Sequence, residues 1–434
     1  QGHRAEAEKR NSQWNFDAAE VDAVILTHAH YDHCGTTPVL SKKGFRGNIY
    51  TTPASRDLAS LIMMDSAHIQ ARDIEFLKKK AKKRNESVNK KPLYTETDVV
   101  ESLNCFLTLS YHRYITITDG ISMQFYDAGH ILGSAITVFD IKKQNNSLKI
   151  AFSGDLGRKN LPILRDPEQI PPVDYLVIES TYGNRLHEPI EEAAHTLADV
   201  INKTAAKQGK VIIPSFAVER TQEIVFILHL LSDEGRIPKM PVFVDSPMAT
   251  NATSIFRVHQ ECYDEETQRV FLDHHKNPFG FNELTYVVST EESKRLNNLK
   301  GPAIIISASG MCESGRILHH LANNVEDPNN TILIVGFMAQ NTLGRRIVEQ
   351  QPEIKIFGDM YKLRANVLTM DAFSAHADYG DILEYISHLD SKKLKEIFLV
   401  HGEAEAQKHL KGLLNERGYK TTIVRYQEKY QLKN

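Results

Sequence analysis

Short apolar runs rich in Val and Ile alternate along the chain with segments of helical period, the pattern of stacked α/β layers. The runs Val21–Thr27, Leu148–Ser153, Tyr175–Ile178, Lys210–Ile213, Val242–Val244, Ala303–Ile306, Thr331–Val335, Asn366–Thr369 and Glu396–Val400 predict strands. Between them, Pro189–Gln208 predicts a helix. Pro189 suits its first turn, Glu191 and Glu192 favour its positive end, and Gly209 suits its stop. Val218–Ser232 predicts another, with Gly235 soon after, and Ile69–Arg84 a third. That third helix ends in the basic run Lys78–Arg84, which reads either as a solvated helix end or as a contact for a nucleic-acid backbone.

A polar, chemically capable residue repeatedly follows a predicted strand: His28, Asp155, Glu179, Ser307, His376 and His401. In α/β folds, sites gather in loops at strand carboxyl ends, so these residues point to one shared site assembled from distant segments. The length, 434 residues, suits two or three domain-sized units. Fifty-two basic against 55 acidic residues leave a net charge of −3, which excludes a uniformly basic nucleic-acid coat but leaves room for a local basic channel. No apolar run approaches the ~18 residues of a membrane span, and no signal peptide opens the sequence. The four cysteines are scattered without a CxxC pair, which fits a reducing, cytoplasmic setting.

The strongest chemical signal is His28-Ala29-His30-Tyr31-Asp32-His33, directly after the apolar run VDAVIL. In an extended segment residues i and i+2 point the same way, so His28 and His30 can grip one ion while Asp32 and His33, on the turn that follows, grip a second. Imidazole and carboxylate are ligands of zinc-like metals.

This motif resembles the HxHxDH signature of the metallo-β-lactamase fold, and a later His130 in DAGHILGSA and Asp155 in FSGDLGR follow in the family's order. The second half of the chain resembles the β-CASP nucleases: Glu179 lies in ESTYGNR, His376 in SAHAD and His401 in VHGE, with a long α/β insertion between Glu179 and His376. The resemblance implies a metallo-β-lactamase αββα sandwich, residues 1–185 and 365–434, carrying an inserted α/β β-CASP domain, residues 186–364. It implies two zinc ions per chain, one on His28, His30 and His130, the other on Asp32, His33 and His401, with Asp155 bridging. It places Asp32, Glu179 and His376 in the chemistry, His376 as general acid and Glu179 as its partner. The family's first strands and an Asp motif that supports the ligands are expected upstream of Gln1, and Gln1-Gly2 resembles the end of that segment.

Three loops of the insertion suit phosphate: ISASGMCESGR (Ile306–Arg316), GFMAQNTLGRR (Gly336–Arg346) and PSFAVERTQE (Pro214–Glu223). Small residues let backbone N–H groups approach an anion, and helix N-termini favour negative charge, although Gly/Ser turns are also common for their own sake. Ser307, Ser309, Gly310, Thr342, Gly344, Arg345 and, in SAHAD, Ser374 are the candidate substrate contacts. The expected function is zinc-dependent hydrolysis of phosphodiester bonds in single-stranded RNA, held in the cleft between the domains, with no membrane partner and with room for a homodimer. A different hydrolase of the same fold would not need the insertion or the SAHAD and VHGE motifs, and a non-catalytic scaffold would not need its ligands.

Overall fold

The computed structural model describes residues 11, 14–83, 89–143, 146–272, 276–336, 338–370 and 372–433. Gln1-Gly2 and Arg84, the last residue of the predicted Ile69–Arg84 helix, lie outside the described residues. The chain divides into two compact units: Gln1–Arg158 with Asp166–Arg185 and His376–Asn434, and Lys159–Arg165 with Leu186–Ala375.

The first unit contains strands β1 (Ala23–Ile25), β2 (Asn48–Thr51), β3 (Phe106–Thr108), β4 (Ile115–Thr118), β5 (Ile121–Asp127), β6 (Ala135–Lys143), β7 (Asn146–Phe152) and β8 (Tyr175–Glu179). The second contains β9 (Lys210–Pro214), β10 (Val242–Val244), β11 (Leu284–Tyr286), β12 (Ala303–Ser307), β13 (Thr331–Ile334), β14 (Glu353–Ile356), β15 (Asp359–Lys362) and β16 (Asn366–Thr369). The chain then returns to the first unit with β17 (Glu396–Val400) and β18 (Thr421–Ile423).

In the first unit, β1, β2 and β3 form a parallel sheet, and a larger sheet runs β18-β17-β8-β7-β6-β5-β4. Its β18 to β7 half is parallel and its β7 to β4 half antiparallel. Alternation decides which face each side chain covers. Leu176, Ile178, Ile397 and Leu399 pack with Ile382 and Ile386 of helix Tyr379–Ser387 and with Leu410 and Leu414 of helix Ala404–Glu416. Tyr175, Phe398 and Ile150 take the opposite face. The predicted helix at Ile69 is the second half of a longer one, Pro53–Lys82. Thr52 caps it by accepting from the Ser55 N–H, Pro53 fills the first turn, and Leu58, Ile62 and Met63 bury its first half.

The second unit is built on a parallel sheet of order β11-β10-β12-β9-β13-β16. Its central strands are buried on both faces, which is why Val211–Ile213, Ile304–Ile306 and Ile332–Ile334 read as unbroken apolar runs. The pair β14–β15 is an antiparallel hairpin beside it.

Candidate metal centre

The centre lies wholly within the first unit, where strand ends deliver its side chains. After β1 the chain stays extended through His28 and His30, then turns into a short helix, Tyr31–Cys34, that carries Asp32 and His33. His130 sits in the loop between β5 and β6, where the Ser134 hydroxyl accepts from the His130 and Ile131 N–H groups at 3.0 and 3.3 Å. Asp155 follows β7, Glu179 ends β8 and His401 follows β17. His401 adopts φ 49°, a left-handed conformation that is costly for a side chain with a Cβ and that is held here by its surroundings. His376 precedes helix Tyr379–Ser387 rather than following a strand of its own unit, and bridges to Gly157. Gly157 has to be glycine: a Cβ there would strike the Gly129 carbonyl and the His130 backbone, so its absence lets the Asp155 loop lie against the His130 loop.

Two ligand-type groups result, His28–His30–His130–Asp155 and Asp32–His33–His401. In the first, His30 Nδ1 lies 3.1 Å from both His28 Nε2 and His130 Nε2. Ligand nitrogens around a tetrahedral zinc with bonds of about 2.0–2.1 Å are separated by roughly 3.3 Å, so this trio needs little adjustment to hold an ion. Asp155 is central: its carboxylate lies 3.3 Å from His28, 3.4 Å from His33, 3.6 Å from His130 and His401, and 3.9 Å from His376. His28, His130 and Asp155 are buried, yet Asp155 Oδ1 and His33 Nε2 have no hydrogen-bond partner. A buried carboxylate oxygen without a donor is expensive, and a cation between these groups satisfies it.

In the first group the protonation states favour the same chemistry. Burial, opposed by Asp155, holds His28 below the ordinary imidazole value; burial and the His28 charge take His30 down to about 3; burial with His376 and His30 takes His130 well down. All three are therefore neutral at pH 7, as metal ligands must be. Burial alone would raise the Asp155 carboxyl, but the histidines around it, His28 foremost, hold it well below the carboxylate range. The hydrogen bond to Asp32 pushes His401 up to about 9. The carboxyl of Asp32, which burial would raise, is carried down by His401 and His33.

His376 belongs to a different arrangement. Its Nδ1–H donates to both Glu179 oxygens, at 3.0 and 3.1 Å, so Nε2 is the nitrogen that gains or loses a proton. Burial opposes the charge on His376, but Glu179, and then Asp155, more than offset it and raise the pKa. Glu179 is fully buried and also accepts from the Leu156 N–H at 2.7 Å, so its oxygens are committed, although Asp155, Glu179 and His401 are close enough to form a third ligand-type group.

The sequence compared with known proteins agrees with this geometry. Residues 1–155 match the metallo-beta-lactamase superfamily domain, residues 221–347 the Beta-Casp domain, and residues 360–424 the Zn-dependent metallo-hydrolase RNA specificity domain. Ribonuclease TTHA0252 of Thermus thermophilus is 36% identical over 423 residues, covering 98% of this chain and 91% of the relative. The chain belongs to the β-CASP ribonuclease family of metal-dependent RNA hydrolases. Transcription termination factors FttA of Methanosarcina mazei and Pyrococcus horikoshii are 32% and 34% identical over 400 and 411 residues, each match covering 90% of this chain. The chain spans 60% of the length of those archaeal factors.

In this β-CASP chain the second unit uses some candidate contacts to build its loops. Ser307 is buried and its hydroxyl donates to the Asp245 carbonyl, so it faces its own fold rather than a ligand. Gly344 is buried too, with its N–H given to the Met311 carbonyl. Thr342 caps helix Leu343–Val348, accepting from the Arg345 N–H, and Glu313 accepts from the Leu343 N–H, which ties the Ser309–Gly310 loop to the Thr342–Arg345 loop. Ser309 is half-buried, as is Ser374, and Gly310 is buried. The Arg345 guanidinium is exposed and pairs with Glu349 at 2.7 Å.

Supporting residues in the first unit carry no motif of their own in the sequence. Thr27 Oγ1 lies 3.2 Å from His28 Nδ1, which directs Nε2 inward. Thr181 Oγ1 lies 3.0 Å from His401 Nδ1 and 3.1 Å from the His401 carbonyl. Both contacts are satisfied when the hydroxyl donates to the carbonyl and accepts from Nδ1–H, which leaves Nε2 facing Asp32 at 3.2 Å. Asp378 of SAHAD is a helix cap, in a capping box with Asp381. The one available signal was position: each hydroxyl lies beside, or just after, a residue already singled out.

Proposed function

We propose that the centre hydrolyses phosphodiester bonds of single-stranded RNA with two zinc ions, one held by His28, His30 and His130, the other by Asp32, His33 and His401, with Asp155 shared between them. The observation that carries this reading is Asp155, a buried carboxylate with an unpartnered oxygen among five histidines. Zinc in such a centre supplies Lewis acidity, which generates a nucleophile from water at neutral pH and draws charge from phosphate oxygens.

The chain's own residues do the rest. Asp155 sets the position of the histidines around it, and Thr181 holds His401. His376, charged through Glu179, keeps a proton on Nε2 and gives it to the departing ribose oxygen. Glu179 holds the ring by its Nδ1–H and stabilises the imidazolium. Such a donor serves attack by water with departure of the 3′-oxygen, which leaves a 5′-phosphate and a 3′-hydroxyl. The half-buried Arg345, Ser309 and Ser374 contact the RNA backbone, and the four free cysteines fit a reducing, cytoplasmic setting. Among the described residues no helix is long and apolar enough to cross a membrane.

The test is an oligoribonucleotide with a single 2′-deoxy residue at the scissile position. It should still be cut and yield a 5′-phosphate that a ligase can use. Loss of cleavage together with cyclic phosphates from unmodified RNA would mean that the 2′-hydroxyl, not water, is the nucleophile.

A further inference from the structure

From Val211 to His229 every residue is buried except one, Phe216. The stretch inverts the usual rule: Glu219, Arg220, Gln222, Glu223 and His229 are inside, while the Phe216 ring is 46% exposed. Its backbone has no freedom to tuck the ring away. The Phe216 carbonyl accepts from the Thr221 N–H at 3.3 Å, the Thr221 hydroxyl at 2.7 Å and the Ser215 hydroxyl at 3.2 Å, and the Ser215 N–H donates to Ser307 O at 3.0 Å. The loop after β9 is thereby locked to the loop after β12.

One side of the ring rests on Gly310. A Cβ at Gly310 would meet Cδ2, Cε2 and Cγ of Phe216 at 2.9, 2.9 and 3.0 Å, so only glycine lets the ring lie there. Phe216 is thus an aromatic ring backed by glycine, held out on a rigid loop and half open to solvent, beside a turn carrying the half-buried Ser309. A ring presented this way offers a π-face to a flat, sequence-tolerant partner.

We propose that Phe216 is a stacking platform for one unpaired nucleobase of the RNA, with Gly310 as its backing. This rests on the ribonuclease reading above and adds a base-binding subsite to it. Stacking of a base on an aromatic side chain corresponds to a loss of about 5- to 100-fold in affinity on removal of the ring.

The experiment is steady-state cleavage of a short unstructured RNA by the full zinc-loaded chain and by F216A, F216L, F216Y and G310A. KM should rise about 5- to 100-fold in F216A and also in F216L, which keeps apolar bulk but no π-face, with kcat little changed. F216Y should stay near wild type, and G310A, which displaces the ring, should resemble F216A. A series of RNAs carrying one abasic nucleotide should include a position at which wild type falls to the level of F216A and F216A itself is indifferent. Unchanged KM in F216A, recovery by Leu as full as by Tyr, or an abasic series without such a position would each overturn the platform while leaving the ribonuclease intact. Failure of the wild-type chain to cleave RNA would instead remove the ribonuclease reading, and the platform with it.

Discussion

Asp155 in the first unit and Asp245 in the second are both buried just after a strand, and the two are solved in opposite ways. Asp245, after β10, is fully buried and matched by protein groups: Arg316 at 2.6 Å on one oxygen, and Ser293 and His320 at 2.6 Å on the other. The nitrogen left over there is His320 Nδ1. Asp155, after β7, is as buried but is ringed by imidazoles, and its Oδ1 has no donor. A buried charge that the fold neutralises with an arginine is architecture, whereas one that the fold surrounds with ligand atoms is a place for a cation.

The largest expected effect separates the two carboxylates. Asp155→Ala should abolish both metal retention and RNA cleavage, measured by elemental analysis and product assay. Chelation of the wild-type protein should lower its stability by about 3–4 kcal/mol when the metal was present at 100–1,000 times Kd, and Asp155→Ala should show no such drop. Retention of metal by that variant would break the comparison.

His376→Ala should keep its metal and lose roughly 10²–10⁴-fold in rate, with Glu179→Gln losing less because it acts through His376. Near-normal turnover in His376→Ala would remove the proton donor from the account.

Asp245→Ala should do the reverse of Asp155→Ala. It leaves half-buried Arg316 without its counter-charge and buried Ser293 and His320 without their acceptor, and should destabilise the chain by about 1–3 kcal/mol in thermal melts while the metal stays bound. Burial works to raise the Asp245 carboxyl, but hydrogen bonds from His320, Ser293 and Arg316 outweigh it and hold the value below the ordinary one. A depressed folded pKa adds stability above the unfolded value of about 3.9, and that stability disappears as the pH falls through the folded value. The wild-type protein should therefore lose stability on acidification below roughly pH 4 more steeply than Asp245→Ala. Parallel profiles would deny Asp245 its structural part.

The smallest effect belongs to Thr181→Val, which removes the hydroxyl that fixes His401. Metal affinity should fall about 10- to 100-fold, seen as earlier loss of the metal to a competing chelator, with no change in melting of the chelated protein.

What the sequence revealed follows the same division. Parallel strands buried on both faces, such as β9, β12, β13 and β17, are visible as Val/Ile runs. The antiparallel strands β4 to β6 were not predicted: Ile115–Thr118 alternates half-buried and exposed positions, and β5 carries Ser and Gln, so neither shows a continuous apolar run. The helix from Pro53 was read only from Ile69, although Thr52 and Pro53 mark its start. The ligand-type residues were legible because imidazole and carboxylate at close spacing are rare by chance. Ser134 and Thr181 were not, since a lone hydroxyl has no spacing to betray it. In the second unit, the small-residue loops suggest substrate contacts at Ser307 and Gly344, but the same small residues are what such loops need in order to close on themselves.

The most direct measurement is anomalous X-ray diffraction at the zinc edge on crystals of the zinc-loaded chain. The account predicts two peaks, one among His28, His30 and His130 and one among Asp32, His33 and His401, each in contact with Asp155, with Glu179 bound to His376 and to no metal. A single peak, or a peak seated on Asp155, Glu179 and His401 instead, would contradict it.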